Sequence, residues 1–152
     1  MLIAVGCPLI HNNVLYNTAF IIFEGKILGI VPKSYIPNYS EFYEKRWFTA
    51  AAMLTDELVA LPFQENIPFG TNLIFAAGDY KFGIEICEDL WVTIPPSSYL
   101  SLLGANIIGN LSASNELVSK KDYRLSLIAN QSARCMSSVS YTHLTLPTKR
   151  IV

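Results

Sequence analysis

Lys81-Phe82-Gly83-Ile84-Glu85-Ile86-Cys87-Glu88-Asp89-Leu90-Trp91 is the stretch that decides the fold class. Residues 82–86 are short, apolar and β-branched, and the turn signal Gly78-Asp79 precedes them, so they read as a buried strand. The apolar run stops at Cys87, and two carboxylates and a tryptophan follow at once. A thiol at the C-terminal end of a buried strand, facing charge, is where α/β enzymes place a nucleophile. Against that stands the ordinary behaviour of free cysteines, which pack as small buried hydrophobes. A lone cysteine becomes a nucleophile only with partners from elsewhere in the chain.

Working outward from Cys87, the downstream half alternates strand and helix. Pro95-Pro96 opens a short helix over residues 97–103, and Gly104 stands where a left-handed cap is expected. Residues 106–111 read as a strand, 112–115 as a loop and 116–137 as a helix. Leu125, Ile128, Ala129, Ser132 and Met136 recur on one helical face. This order predicts βαβ units and a largely parallel sheet. Upstream, residues 2–6 read as a strand ended by Pro8. Residues 15–23 and 26–31 read as a hairpin turning at Glu24-Gly25. Pro32 ends the second of these, so Lys33 is presented just past a strand end, as Cys87 is later. Ser40 is placed to cap a short helix over 41–48. Residues 50–61 read as a helix ended by Pro62, Pro68-Phe69-Gly70 as a turn, and 72–76 as a strand.

The chain of 152 residues is one domain or less. Its hydrophobic content is 51% and its charged content 15%, which argues for strands buried on both faces. No apolar run approaches the roughly 18 residues of a membrane helix, and the start has no signal-peptide shape. A net charge of −1 without a basic patch argues against nucleic acid or an anionic membrane as partner. Three cysteines without metal-type spacing fit a reducing cytoplasm better than a disulfide scaffold, and Cys7 and Cys135 read as structural. His11 and His143 are isolated, so no metal site is expected.

The partners of Cys87 come from a second stretch, "VPKSYIPNYSEFYEKRWF", residues 31–48. Together with "FGIEICEDLWVTIPPSSYL" it resembles the glutamine-hydrolysing domain of the glutamine-dependent NAD+ synthetase family, in the nitrilase (carbon–nitrogen hydrolase) superfamily. A third stretch, Asn110-Leu111-Ser112-Ala113-Ser114-Asn115-Glu116 through Gln131-Ser132-Ala133-Arg134-Cys135, resembles the same family. The likeness covers residues 1–139 and implies an α-β-β-α sandwich, here incomplete, with an N-terminal strand and helix and the C-terminal strands missing. Residues 140–152 depart from the pattern and are expected to be a non-native or atypical tail.

Amide hydrolysis at neutral pH needs a nucleophile, a proton shuttle and a cation or donor for the oxyanion. A free thiol has a pKa of about 8.5, and a nearby ammonium stabilises its thiolate. The resemblance implies Cys87 as nucleophile and Lys33 as that cation. It places the catalytic glutamate upstream of the lysine. Only Glu24 precedes Lys33, at a hairpin turn without the family's motif, and it is not assigned. Glu85, on the strand, reads as structural. By motif position Tyr39, Glu88, Trp91, Ser114 and Lys120 (or its neighbour Lys121) resemble the residues that hold the α-amino and α-carboxylate groups of L-glutamine.

The implied function is release of ammonia from glutamine for ATP-dependent amidation of deamido-NAD. ATP and Mg2+ belong to a C-terminal synthetase domain outside this chain, and no cofactor is expected within it. A cytoplasmic homo-oligomer is implied for the parent, with this fragment inactive alone. Two other readings stay open: a different nitrilase-superfamily amidase, and a catalytically incomplete domain lacking the glutamate.

Overall fold

The computed structural model describes residues 1–54, 56–115 and 117–142. Three antiparallel strands come first: β1 (Leu2–His11), β2 (Val14–Phe23) and β3 (Lys26–Pro32). Asn12 and Asn13 turn the first hairpin with φ of 50° and 61°, and Glu24 and Gly25 the second with 49° and 76°. Two consecutive positive φ values match the twist of the flanking strands, and asparagine and glycine reach them at least cost. β4 (Glu57–Leu61) and β5 (Gln64–Phe69) complete the first sheet in the order β1-β2-β3-β5-β4.

The second sheet runs β6 (Ile74–Ala77), β7 (Tyr80–Glu85), β8 (Ile107–Asn110) and β9 (Ser138–Tyr141). β7, β8 and β9 are parallel, and the crossovers are α1 (Pro96–Leu102) and α2 (Lys120–Cys135). This is the βαβ half that the alternating pattern predicts.

The two sheets pack face to face. Ala19, Ile21 and Val31 of the first meet Phe75, Ile84 and Ile86 of the second. Gly29 permits that approach: a Cβ there would lie 3.0 Å from both Leu73 Cδ1 and Phe75 Cε1. Leu100 and Ala105 cover Ile108 on the outer face of the second sheet. On the other face of the first sheet, Ile30, Ile67 and Phe69 are fully buried, with Ala51 of the following loop among them. Burying each such large side chain contributes about 1.5–3 kcal/mol. Among the described residues the layers are therefore helix, sheet, sheet. This fits a nitrilase-type sandwich with one helical layer short. No helix among the described residues is long and apolar enough to cross a membrane.

Several elements differ from their sequence reading. β1 does not stop at Pro8; it runs to His11, because a strand at the edge of a sheet needs no N–H on its open side. The described residues of the 50–61 stretch form no helix: Glu57–Leu61 pairs with β5, and sheet pairing overrides helix propensity. Pro68 is not in a turn but inside β5, tolerated because β5 is bridged to β3 only at Ile30↔Phe69. The helix over 41–48 contracts to a 3-10 turn at Glu44–Arg46, and Ser40, at φ 50°, caps nothing. α2 begins at Lys120, later than read, and Glu116 lies outside the described residues. Departure from the pattern at residue 140 does not take the chain out of the sheet. Ser140 and Tyr141 pair with Gly109 and Asn110, and Thr142 N–H donates to Asn110 O at 3.0 Å. Residues 143–152, which hold the rest of that segment and His143, lie outside the described residues.

Candidate active site

Lys33 follows directly on β3, where Pro32 closes the strand. Its backbone is fixed on both sides: its N–H donates to Asn17 O at 2.8 Å, and its carbonyl accepts from Ala51 N–H at 3.1 Å. The side chain is 1% exposed, an uncommon place for a lysine unless it is paired. The pair is Glu44, whose two carboxylate oxygens each lie 2.8 Å from Lys33 Nζ. Asn17 Nδ2 adds a contact of 3.4 Å to Glu44.

Cys87 opens a 3-10 turn, Cys87–Trp91, at the end of β7. Its φ is +48°, in the left-handed region that non-glycine residues occupy at a cost of about 1–3 kcal/mol. Strain of this kind persists only where neighbours hold it. Asp89 accepts the N–H of Ile86 at 2.9 Å, and Asn110 Nδ2 reaches Cys87 O at 3.5 Å. Burial pushes the Asp89 carboxyl up to about 7, although the backbone N–H groups of Ile86, Tyr35 and Ser34 pull the other way. Glu85 is 1% exposed and receives the N–H of Ser97 at 3.0 Å and Asn110 Nδ2 at 3.1 Å. Burial raises its carboxyl too, against those hydrogen bonds. It joins β7 to β8 and the start of α1, the structural place read for it.

Cys87 borders two cavities. One, of about 460 Å³, is lined by Lys33, Glu44, Phe42, Asn17 and Ser112 among others. The other, of about 240 Å³, is lined by Tyr39, Glu88, Trp91, Ser114 and Lys120. Tyr39 Oη donates to Glu88, 3.0 and 2.9 Å from the two oxygens. Partial burial and the Glu88 carboxylate push the Tyr39 hydroxyl up to about 12. Lys120 Nζ lies 5.5 Å from the Trp91 ring centre and 5.9 Å from that of Phe42, and donates to Asn115 Oδ1. A cation over aromatic faces is attracted by the ring quadrupoles, and among the described residues no carboxylate pairs with Lys120. Lys121, the alternative, does not line this cavity.

The structure thus brings all seven sequence-derived site residues to the two cavities that meet at Cys87. Glu24 lines neither. Glu44, Phe42 and Asp89 were not singled out in the sequence. A signal for Glu44 existed: a buried lysine needs a counter-charge, and Glu41 and Glu44 are the acids that follow it.

Comparison with known proteins accords with this arrangement. No protein-family model matches the sequence. Over 143 residues, 91% of this chain, it is 40% identical to the glutamine-dependent NAD(+) synthetase of Mycobacterium tuberculosis. The chain belongs to the glutamine-dependent NAD(+) synthetase family. Its counterpart in Homo sapiens is 36% identical over 132 residues, 82% of this chain. The chain spans about a fifth of the length of these relatives, 21% and 19%. The crystal structure of the family member from Cytophaga hutchinsonii superimposes with a TM-score of 0.83 at 26% identity, covering 95% of this chain and 23% of that one. An amidase of the nitrilase superfamily from Nesterenkonia superimposes with a TM-score of 0.70 at 12% identity, over 94% of this chain and 47% of that one. That likeness extends the fold to the carbon–nitrogen hydrolases.

Proposed function

We propose that this chain supplies the glutamine-hydrolysing site of a glutamine-dependent NAD(+) synthetase. One observation carries the reading. A strained cysteine borders a cavity that holds an acid, Glu88, and an aromatic-stacked cation, Lys120. Those two charges fit the ammonium and carboxylate of an α-amino acid, and Tyr39, Trp91 and Ser114 line the same space. A glutamine seated there extends its side-chain amide toward Cys87.

Cys87 Sγ attacks the amide carbon, forming a carbon–sulfur bond. Lys33 stabilises the developing oxyanion from the neighbouring cavity. The carbon–nitrogen bond breaks as the leaving nitrogen takes up the proton given up by the thiol, ammonia departs, and water then hydrolyses the thioester to glutamate, its proton restoring the thiol. A carboxylate whose two oxygens are both held by one ammonium is a poor base, so Glu44 positions Lys33 rather than taking the thiol proton. Among the described residues Glu44 is the only carboxylate lining the Lys33 cavity, so the 152-residue chain is expected to turn glutamine over slowly.

Ammonia released here is used by a synthetase domain in ATP-dependent amidation of deamido-NAD, within a cytoplasmic homo-oligomer. The length of the relatives supports a further domain of this kind. ATP and Mg2+ are assigned to that further domain; among the described residues of this chain no group of three or more His, Cys, Asp or Glu is placed to hold a metal ion.

An electrophilic glutamine analogue tests the reading. Intact mass and peptide mapping of the treated chain should give one adduct on Cys87, sparing Cys7 and Cys135. No adduct from a folded chain, or equal labelling by a simple aliphatic amide analogue, would overturn it.

A further inference from the structure

Lys33 and Cys87 reach the same cavity from different sheets. Lys33 hangs from the end of β3 in the first sheet, and Cys87 from the end of β7 in the second. Side-chain packing between the sheets fixes their faces but not the register of two loops at their ends. Besides the exposed Tyr39–Glu88 contact, a buried side chain spans that gap. Asp89, 1% exposed, accepts the Tyr35 N–H on Oδ1 at 2.8 Å and the Ile86 N–H on Oδ2 at 2.9 Å. Tyr35 lies two residues beyond Lys33, and Ile86 directly precedes Cys87.

We propose that Asp89 is a positioning residue whose two oxygens clamp the lysine loop to the cysteine turn and so set the placement of Lys33 against Cys87. The inference rests on reading Cys87 as nucleophile and Lys33 as its cation, but needs nothing about glutamine. Three features favour it over a purely structural role. Each oxygen serves a different loop. Its partners are backbone amides within two residues of the reactive side chains, Ser34 and Tyr35 after Lys33 and Ile86 before Cys87. A carboxylate can accept at both atoms, whereas an asparagine offers one acceptor and turns donors toward the other amide.

The test uses Asp89→Asn and the chain's own cysteines. Iodoacetamide, a small alkylating agent indifferent to glutamine recognition, is applied to the folded chain, and each cysteine is quantified by peptide mass. Cys7 on exposed β1 is the internal reference, and Cys135 against α1 reports general loosening. The Cys87-to-Cys7 rate ratio is expected to fall at least about fivefold as the thiolate loses its ammonium, with Cys135 unchanged. Amide exchange at Tyr35 and Ile86 is expected to rise together by about tenfold or more while Ile108 stays protected.

An unchanged or higher ratio overturns the proposal, as does an unchanged rate at either amide. If Asp89→Asn exposes Cys135 and fails to fold, the wild-type chain decides. Its Tyr35 and Ile86 amides must then be protected to within about tenfold of Ile108, and free exchange at either overturns the clamp. Failure of the glutamine reading would appear only with the glutamine analogue and leave these rates untouched.

Discussion

Replacing Glu44 by glutamine removes the carboxylate that both compensates and holds the buried Lys33. At 2.8 Å and an effective dielectric near 20, the attraction is about 6 kcal/mol, and most of it offsets the cost of taking the ammonium out of water. Breaking such a pair from one side costs about 3–5 kcal/mol. Glu44 is 25% exposed, so water can partly relieve the orphaned lysine, and the expected loss is near the lower end, about 3 kcal/mol. The double variant Lys33→Met/Glu44→Gln should cost less than Glu44→Gln alone, because no uncompensated charge remains. Urea unfolding of the four chains at constant slope gives the coupling energy. A loss under about 1 kcal/mol for Glu44→Gln would mean the pair behaves like an exposed surface pair, and the buried-cation reasoning would be refuted.

Three further expectations follow from the geometry. Burial raises Asp89 from 3.8 to about 7, so between those values the folded chain holds a proton that the unfolded chain has released. The stability present below about pH 4 is therefore lost as pH rises through about 7, by an amount approaching 4 kcal/mol, and Asp89→Asn should flatten that slope. Glu85, raised by burial, acts in the same direction, and a variant with an unchanged slope would count against Asp89. Gly29→Ala pushes a methyl against Leu73 and Phe75 between the sheets and should cost about 1–3 kcal/mol by urea unfolding. A neutral result would mean the sheets can separate there. Lys120→Met should weaken the apparent affinity of the glutamine analogue about tenfold or more, the scale of a lost charged hydrogen bond. It should leave iodoacetamide labelling of Cys87 unchanged; equal loss with both reagents would place Lys120 outside substrate recognition.

What could be read from the sequence was local or periodic. The strand before Cys87, the parallel order after it, and the positions of Lys33 and Cys87 at strand ends all rest on short patterns. The pairing of Glu57–Leu61 with Gln64–Phe69 does not. Those residues carry a helix-compatible composition, and only the sheet beside them decides otherwise. Pro8 and Pro68 misled for one reason: a proline's missing donor matters only where a neighbour strand asks for it. The role of Asp89 depends on a contact across the chain, with Tyr35, and the signal for Glu44 can be read only once Lys33 is known to be buried. Lys120 was found by motif position, but its stacking over Trp91 and Phe42 emerges only in three dimensions.

The split of the site between two sheets also bears on how the protein is made. Chains fold as they emerge, N-terminal segments first. The lysine loop leaves the ribosome well before the cysteine turn, and the strands that hold that turn, β8 and β9, come later still. Cys87 therefore spends its first moments as an ordinary thiol, without cation or cavity. It acquires both only when the second sheet closes on the first, so with Cys87 as the proposed nucleophile the final docking step is also the moment at which the newborn chain first becomes reactive.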